Sequence, residues 1–255
     1  MRFFHFTPLV VRAAVALAAL TSVAFADQPA ATESPAGWRT LFNGRDLAGW
    51  DGDPRLWSVR DGAIHGETTP EQSTDGNTFL IAEDLLLRDF ELELAFRCGS
   101  ENNSGIQYRS EHVTETTRGK PRNPWVVKGY QHEIRNSDTL PDVAGFIYDE
   151  RGKRRRICLV GEQAEWTAEG KRVTGQLIDA AGFKELFRVD DWNDVRIVAE
   201  GNRLRHYLNG SLILDFTDDD AHVRREGILA LQLHAGVPMW AEYRDIRVRE
   251  LPAAE

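Results

Sequence analysis

The chain has 255 residues, and its 40 acidic side chains outnumber its 31 lysines and arginines, which gives a formal net charge of −9 at pH 7. Such an acidic protein is a poor binder of nucleic acids and anionic membranes, because their phosphates repel it. A neutral ligand or a small metabolite fits this composition better, and the length suits one large β domain or two small ones.

The first 26 residues have the pattern of a secretory signal peptide. Arg2 and Arg12 supply positive charge, Ala13–Val23 is a short apolar run, and Ala24-Phe25-Ala26 offers small residues to a signal peptidase. We therefore expect cleavage before Asp27 and export of the mature chain to a bacterial periplasm or beyond. The apolar run has about half the length of a transmembrane helix, so a retained anchor is the weaker interpretation.

The rest of the chain has the pattern of one domain between two short ends. Residues 27–37 are rich in Pro, Ala, Ser and Thr, which predicts a flexible spacer, and residues 252–255 are predicted to be a loose tail. Residues 38–251 contain short apolar segments separated by turn signals such as Asp61-Gly62 and Asn209-Gly210. No stretch carries a long helical period with caps. The pattern predicts an all-β fold, an antiparallel two-sheet sandwich or a barrel.

Apolar and polar residues alternate in several of the predicted strands, as in Phe90–Cys98. In Ser104–Ser110, Gly129–Asn136 and Leu229–His234, the face opposite the apolar residues carries amides, acids and cations, where Lys, Thr and Ser would suffice for solubility. Three such strands predict one sheet whose polar face binds a ligand; a plain solvated face is the competing interpretation. The residues predicted on this face are Gln107, Arg109, Gln131, Glu133, Arg135, Gln232 and His234.

Common cofactor and catalytic motifs are absent from the sequence. It has no P-loop, no dinucleotide-binding fingerprint, no Gly-x-Ser-x-Gly elbow and no His-Glu-x-x-His. The two cysteines, Cys98 and Cys158, lack the neighbouring histidines of a zinc site. A disulfide between them and two buried free thiols are equally weighted interpretations. No cofactor and no metal site is predicted, although the sequence leaves a bound metal open.

Several motifs, in order along the chain, resemble one family. Thr40–Trp50, Asn103–Ile106 and Gly129–Ile134 are similar to motifs of the domain long called DUF1080, now described as the 3-keto-disaccharide hydrolase family. The resemblance implies a concanavalin A-like jelly roll, in which the concave face of one of two antiparallel sheets holds a sugar. Later motifs that match in the same order are Trp192-Asn193, Asn209-Gly210, Leu231–His234 and Tyr243–Val248.

The resemblance also implies a reaction, the cleavage of glycosides already oxidised to a ketone at C3. The ketone acidifies the proton on C2, so a base forms an enolate and the group at C1 leaves by β-elimination; water then completes a net hydrolysis. Glu133 and His234 are the candidate bases, and Arg109 and Arg135 are the candidate partners of the enolate. The candidates for orienting hydroxyls and stacking on sugar rings are Gln107, Gln131, Gln232 and Tyr148.

The sequence leaves two classes of function open. An enzyme acting on an oxidised glycoside is expected if Glu133 and His234 converge on one pocket, and a non-catalytic carbohydrate-binding module if an open aromatic groove replaces them. A conventional glucanase is third, and it needs a second acid about 5–10 Å from Glu133. The cation-rich segment Glu150–Arg156 is typical of a solvated turn, yet it departs from the family pattern and leaves the substrate open. We expect neither nucleic-acid binding nor membrane insertion after signal cleavage, and the oligomeric state is open.

Overall fold

The structure, a computed structural model, describes residue 1, the backbone of residues 33 and 34, and residues 37–113 and 123–253. The predicted signal peptide beyond its first residue and most of the predicted spacer lie outside the described residues. The chain divides into two units, Met1–Ala30 and Ala31–Glu255, and all the elements named below belong to the second. Within the described ranges, no helix has both the length and the apolar character needed to span a membrane.

Short strands dominate the described residues, together with one seven-residue helix, α1 (Ala180–Leu186), which begins where the side chain of Asp179 accepts a hydrogen bond from the backbone N–H of Gly182. The strands are β1 (Glu33–Ser34), β2 (Trp38–Thr40), β3 (Trp50–Asp51), β4 (Trp57–Arg60), β5 (Ala63–Glu67), β6 (Thr78–Ala82), β7 (Phe90–Cys98), β8 (Ser104–His112), β9 (Val127–Ile134), β10 (Ile147–Glu150), β11 (Arg156–Cys158), β12 (Glu162–Thr167), β13 (Gly170–Gln176), β14 (Asn193–Glu200), β15 (Arg203–Leu208), β16 (Ser211–Asp218), β17 (Ile228–Leu233) and β18 (Trp240–Glu250).

In the described part of the chain these strands form two sheets. The larger has eleven strands in the order β1-β2-β18-β7-β14-β15-β16-β12-β13, with β5 paired to β18 and β4 paired to β5. The smaller has seven strands in the order β11-β10-β9-β8-β17-β6-β3. The predicted all-β, two-sheet antiparallel sandwich is confirmed; the pairing of β12 with β16 is parallel.

Alternation decides which side chains fill the space between the sheets. Leu92 and Leu94 of β7, and Tyr130 and Ile134 of β9, are buried in one continuous core. Burying one such side chain contributes about 1.5–3 kcal/mol, so a shift of either strand by one residue would expose several of them. The register is therefore strongly fixed, and it turns the intervening residues of β9 to the opposite face.

Cys98 and Cys158 are free thiols, each buried, and they lie on different sheets, in β7 and β11. The structure thus agrees with the interpretation as buried thiols rather than a disulfide. Burial in apolar surroundings raises the pKa of the Cys98 thiol to about 12 and also raises that of Cys158.

Candidate active site

The polar face of the seven-stranded sheet carries a cavity of about 420 Å³. It extends over β9 and β10 and is bounded by the β10–β11 loop and by the segments around Asn77 and His234. Glu133 and His234 line the same cavity, as the enzyme interpretation requires. The predicted residues that line it are Gln131, Glu133, Arg135, Tyr148 and His234.

Gln107 and Gln232 are on the predicted face but do not line the cavity. Both are fully buried, and each bonds to a residue that does line it. Gln107 Nε2 donates to Gln131 Oε1 at 2.5 Å, and Gln232 Nε2 donates to Glu150 Oε2 at 3.4 Å. Their contacts position other side chains, so the predicted direct contact of these two amides with a sugar has no support in this geometry.

The predicted place of Arg109 on this face is wrong. The pairing of β8 with β9 shifts register at this point, and Arg109 has a left-handed backbone with φ of 45°. Such a bulge redirects the side chains, so the alternation fails there. The buried guanidinium donates to the carbonyl oxygens of Arg88 and Gly201, at 2.7 Å each, and forms a salt bridge of 3.0 Å with Asp89. Arg109 is therefore a structural cation.

A chain of directed hydrogen bonds leads to the carboxyl group of Glu133. Ser110 Oγ donates to Gln107 Oε1 at 2.8 Å, and Gln107 Nε2 donates to Gln131 Oε1. Gln131 Nε2 then donates to Glu133 Oε2 at 2.8 Å, while Arg135 Nε donates to Glu133 Oε1 at 3.0 Å. Both oxygens of Glu133 are held, and each amide has a single orientation that satisfies its neighbours.

Two glycines make room for the side chains of this hydrogen-bonded chain. A Cβ atom on Gly105 would lie 2.3 Å from Cδ of Gln131, and one on Gly129 would lie 2.2 Å from Oγ of Ser110. Both distances are far below van der Waals contact. Each glycine belongs to a motif of the family resemblance, and its lack of a side chain leaves space for Gln131 in one case and for Ser110 in the other.

Burial raises the pKa of Glu133 to about 7, because the ionised carboxylate loses its hydration. The charge of Arg135 and the hydrogen bonds from Gln131 and Arg135 act in the opposite direction and limit the rise. Only 3% of the residue surface is exposed. Glu133 is therefore a proton acceptor whose pKa lies close to neutral pH, which is where a general base works best.

Glu150 is a second acid on this cavity and is not among the residues predicted for the site. It accepts hydrogen bonds of 3.3 Å from Asn77 and 3.4 Å from Gln232, and burial raises its pKa. Alternation in β10 places Glu150 on the same face as Tyr148, so the sequence pattern was sufficient to predict Glu150 on this face. Two strands, β9 and β8, separate β10 from β17, a span of roughly 14 Å. The bond from Gln232 across that span shows that this face is concave.

His234 lies just after β17 and is half-buried at the cavity. Its Nδ1 is 2.7 Å from the carbonyl oxygen of Ala235. Because a carbonyl only accepts, Nδ1 carries the hydrogen, and the lone pair of the neutral ring is on Nε2. That arrangement leaves Nε2 as the atom for proton transfer.

The interpretation of the cation-rich segment as a solvated turn is wrong for Arg154. The side chain of Arg154 is buried, and two of its nitrogens each bond to Asp218 at 2.9 Å. Arg151, Arg155 and Arg156 line the cavity. The sequence could not show this, because the partner of Arg154 lies far along the chain in β16.

A larger cavity, of about 700 Å³, lies on the eleven-stranded sheet. Its acids are engaged in salt bridges, such as Glu93 with Arg247 at 2.5 Å and Asp194 with Arg188 at 3.5 Å. The smaller cavity holds the acids with raised pKa, so it is the better candidate for chemistry. In the described residues, no cluster of three or more His, Cys, Asp or Glu side chains is placed to hold a metal ion.

Comparison with known proteins confirms the family resemblance. Residues 37–249 match the family model described as the 3-keto-alpha-glucoside-1,2-lyase-like domain. A stretch of 118 residues is 30% identical to a 3-keto-disaccharide hydrolase of Bacteroides thetaiotaomicron and covers 42% of this chain. The match covers 39% of that relative, which is less than half of its length.

Solved structures agree on the fold. A candidate glycosyl hydrolase of Parabacteroides distasonis superposes with a TM-score of 0.53 at 20% identity, over 85% of this chain and 94% of that one. A protein of Bacillus subtilis with a galectin-like fold superposes with a TM-score of 0.51 at 12% identity, over 82% of this chain and 92% of that one. At these identities the likeness shows the sandwich fold alone.

Proposed function

Since this chain belongs to the 3-keto-alpha-glucoside-1,2-lyase-like family, we propose that it cleaves glycosides that carry a ketone at C3. The observation that supports this most is Glu133, a buried carboxyl with a pKa of about 7 on a cavity of the concave sheet. A C3 ketone makes the C2 proton removable by such a base, whereas an unoxidised sugar has no comparably acidic C–H bond.

In the proposed reaction Glu133 removes the proton from C2, and the electron pair forms an enolate with the C3 oxygen. Arg135, which already bonds to Glu133, stabilises the negative charge. The enolate re-forms the ketone as the C1–O bond breaks, and a proton is delivered to the departing oxygen. Glu150 lines the cavity, and burial raises its pKa, which favours the protonated form that can donate. His234, with the lone pair of its neutral ring on Nε2, is a second proton acceptor on the cavity. Addition of water across the resulting double bond completes a net hydrolysis.

The chemistry of the site favours this reaction over a binding module. Glu150 is opposite Gly129 on the neighbouring strand, four residues from Glu133, and both acids line the same cavity. A conventional glycosidase that uses this pair of acids is the second candidate, and the unoxidised parent sugars in the test below distinguish it. A simple lectin has no use for a buried carboxyl whose pKa is near 7.

The proposal is tested by incubating the protein with synthetic 3-keto disaccharides and with their unoxidised parents. We expect cleavage of the keto sugars alone. Glu133→Gln keeps the shape but removes the proton acceptor, so kcat should fall roughly 100- to 10,000-fold with a much smaller change in KM. Glu169→Gln, at an exposed turn, is the matched control. Cleavage of the parents at the same rate would indicate a conventional glycosidase, and binding without turnover would indicate a lectin.

A further inference from the structure

The loop between β10 and β11 is held in place by hydrogen bonds and by a buried salt bridge. Asp149 N donates to the carbonyl oxygen of Arg155 at 2.7 Å, and Arg154 N donates to Asp149 Oδ2 at 3.1 Å. The guanidinium of Arg154 bonds to Asp218 and packs over the ring of Trp166, 5.3 Å from its centroid. One arginine of the loop thus acts as an internal anchor, and the loop has a fixed shape.

That fixed shape leaves Arg151 and Arg155 exposed on the wall of the cavity. Both have left-handed backbones, with φ of 57° and 55°. Such positions in hairpin loops favour Gly, Asn or Asp, and a long side chain there costs conformational free energy. In the part of the chain that the structure describes, neither arginine forms a salt bridge, although the charge of Arg151 acts on the pKa of Glu150. Packing and ion pairing therefore do not explain these two residues.

The balance of charge on the cavity is opposite to that of the protein. Arg135 pairs with Glu133 and Arg156 pairs with Asp142, so the cations left to a ligand are Arg151 and Arg155. Four arginines and two glutamates line the cavity, so cations outnumber acids there. A protein with a formal net charge of −9 thus presents a local positive site. The ionisable residues that line the cavity are Arg135, Arg151, Arg155, Arg156, Glu133, Glu150, Tyr148 and His234.

We infer that Arg151 and Arg155 bind an oxyanion carried by the substrate, so that the preferred substrates are acidic 3-keto glycosides. The inference rests on the proposed function and specifies its substrate class. A guanidinium offers parallel N–H donors that match a carboxylate or a sulfate ester, and a neutral sugar has no group that needs two of them. The composition predicted a neutral ligand; the local charge of the cavity points to an anionic one.

The test compares one 3-keto-glucosyl disaccharide in which the leaving sugar is glucuronic acid with its methyl ester, which removes the charge and little else. We expect kcat/KM to be at least about tenfold higher for the free acid, and to lose that preference as salt is added. A sulfate ester on the leaving sugar, in a third arm, separates carboxylate recognition from general oxyanion recognition; binding of either form supports the inference.

Arg151→Gln and Arg155→Gln should each bring the acid-to-ester ratio toward one, while Lys153→Gln should keep it. Lys153 is an exposed cation of the same loop that does not line the cavity. Equal cleavage of acid and ester by the wild type, or a ratio that both variants preserve, overturns the inference and leaves the proposed function standing. If neither keto sugar is cleaved, the proposed function fails. Calorimetry with the same acid and ester then decides the inference, because the ratio of their dissociation constants should favour the acid in the wild type and approach one in the two arginine variants.

Discussion

Glu133 has a position that its own strand sets and a pKa that the assembled sheet sets. Alternation in β9 sufficed to place it on the polar face opposite Tyr130 and Ile134. Its raised pKa comes from burial by strands distant along the chain, and Arg135, two residues away, limits the rise. The face on which Glu133 lies follows from the two-residue period of its strand, so it was predictable from the sequence. Its pKa depends on the assembled sheet, so it was not.

The pH dependence of catalysis should report this pKa. Because burial raises the pKa of Glu133 to about 7, the carboxylate that accepts the C2 proton forms only as the pH rises through that value. We expect kcat/KM for a 3-keto disaccharide to fall about tenfold per pH unit below about 7. Arg135 lowers this pKa, so Arg135→Gln should move the midpoint to higher pH. A rate that is constant from pH 5 to 8 would contradict the assignment of Glu133 as the base.

In strand β8, the predicted alternation of side chains holds at one end and fails at the other. Gln107 follows the predicted alternation, but the bulge at Arg109 does not. The bulge is fixed by a guanidinium that bonds to Arg88, Gly201 and Arg224 on three other segments, and no local pattern encodes those contacts. The anchoring of the β10–β11 loop by Asp218 was hidden for the same reason.

Gly105 tests the close fit between β8 and β9. In Gly105→Ala the new methyl group would overlap the side chain of Gln131, so the amide must leave its place beside Glu133. We expect a loss of about 1–3 kcal/mol in the free energy of unfolding, measured in urea, together with a lower kcat. Gly182→Ala, in α1, is the matched control and should retain activity. Unchanged kcat in Gly105→Ala would show that Gln131 is dispensable.

Arg154 tests the anchor of the β10–β11 loop. Arg154→Met removes the cation and leaves the buried carboxylate of Asp218 unpaired, which should cost about 3–5 kcal/mol in the free energy of unfolding. Lys153→Met changes an exposed neighbour and should be nearly neutral. Urea denaturation of both variants at pH 7 checks the difference, and equal stabilities would mean that the salt bridge contributes nothing to the fold.

At the scale of the whole molecule, the order of short strands and turns was enough to predict the sandwich, because two sheets are the simplest way to bury so many alternating faces. Export, by contrast, remains a proposal that rests on the first 26 residues. Mature protein recovered from the exporting cell should begin at or near Asp27. N-terminal sequencing checks this, and recovery of chains that begin at Met1 would refute it.

The two buried thiols give each sheet its own kinetic reporter. A thiol-reactive dye modifies a buried cysteine only when the strand that holds it opens. Cys158 is on β11, the outermost strand of the seven-stranded sheet as described, whereas Cys98 is on β7, between β18 and β14. Cys158 should therefore be labelled faster than Cys98, and the ratio of the two rates compares the local opening of β11 with that of β7.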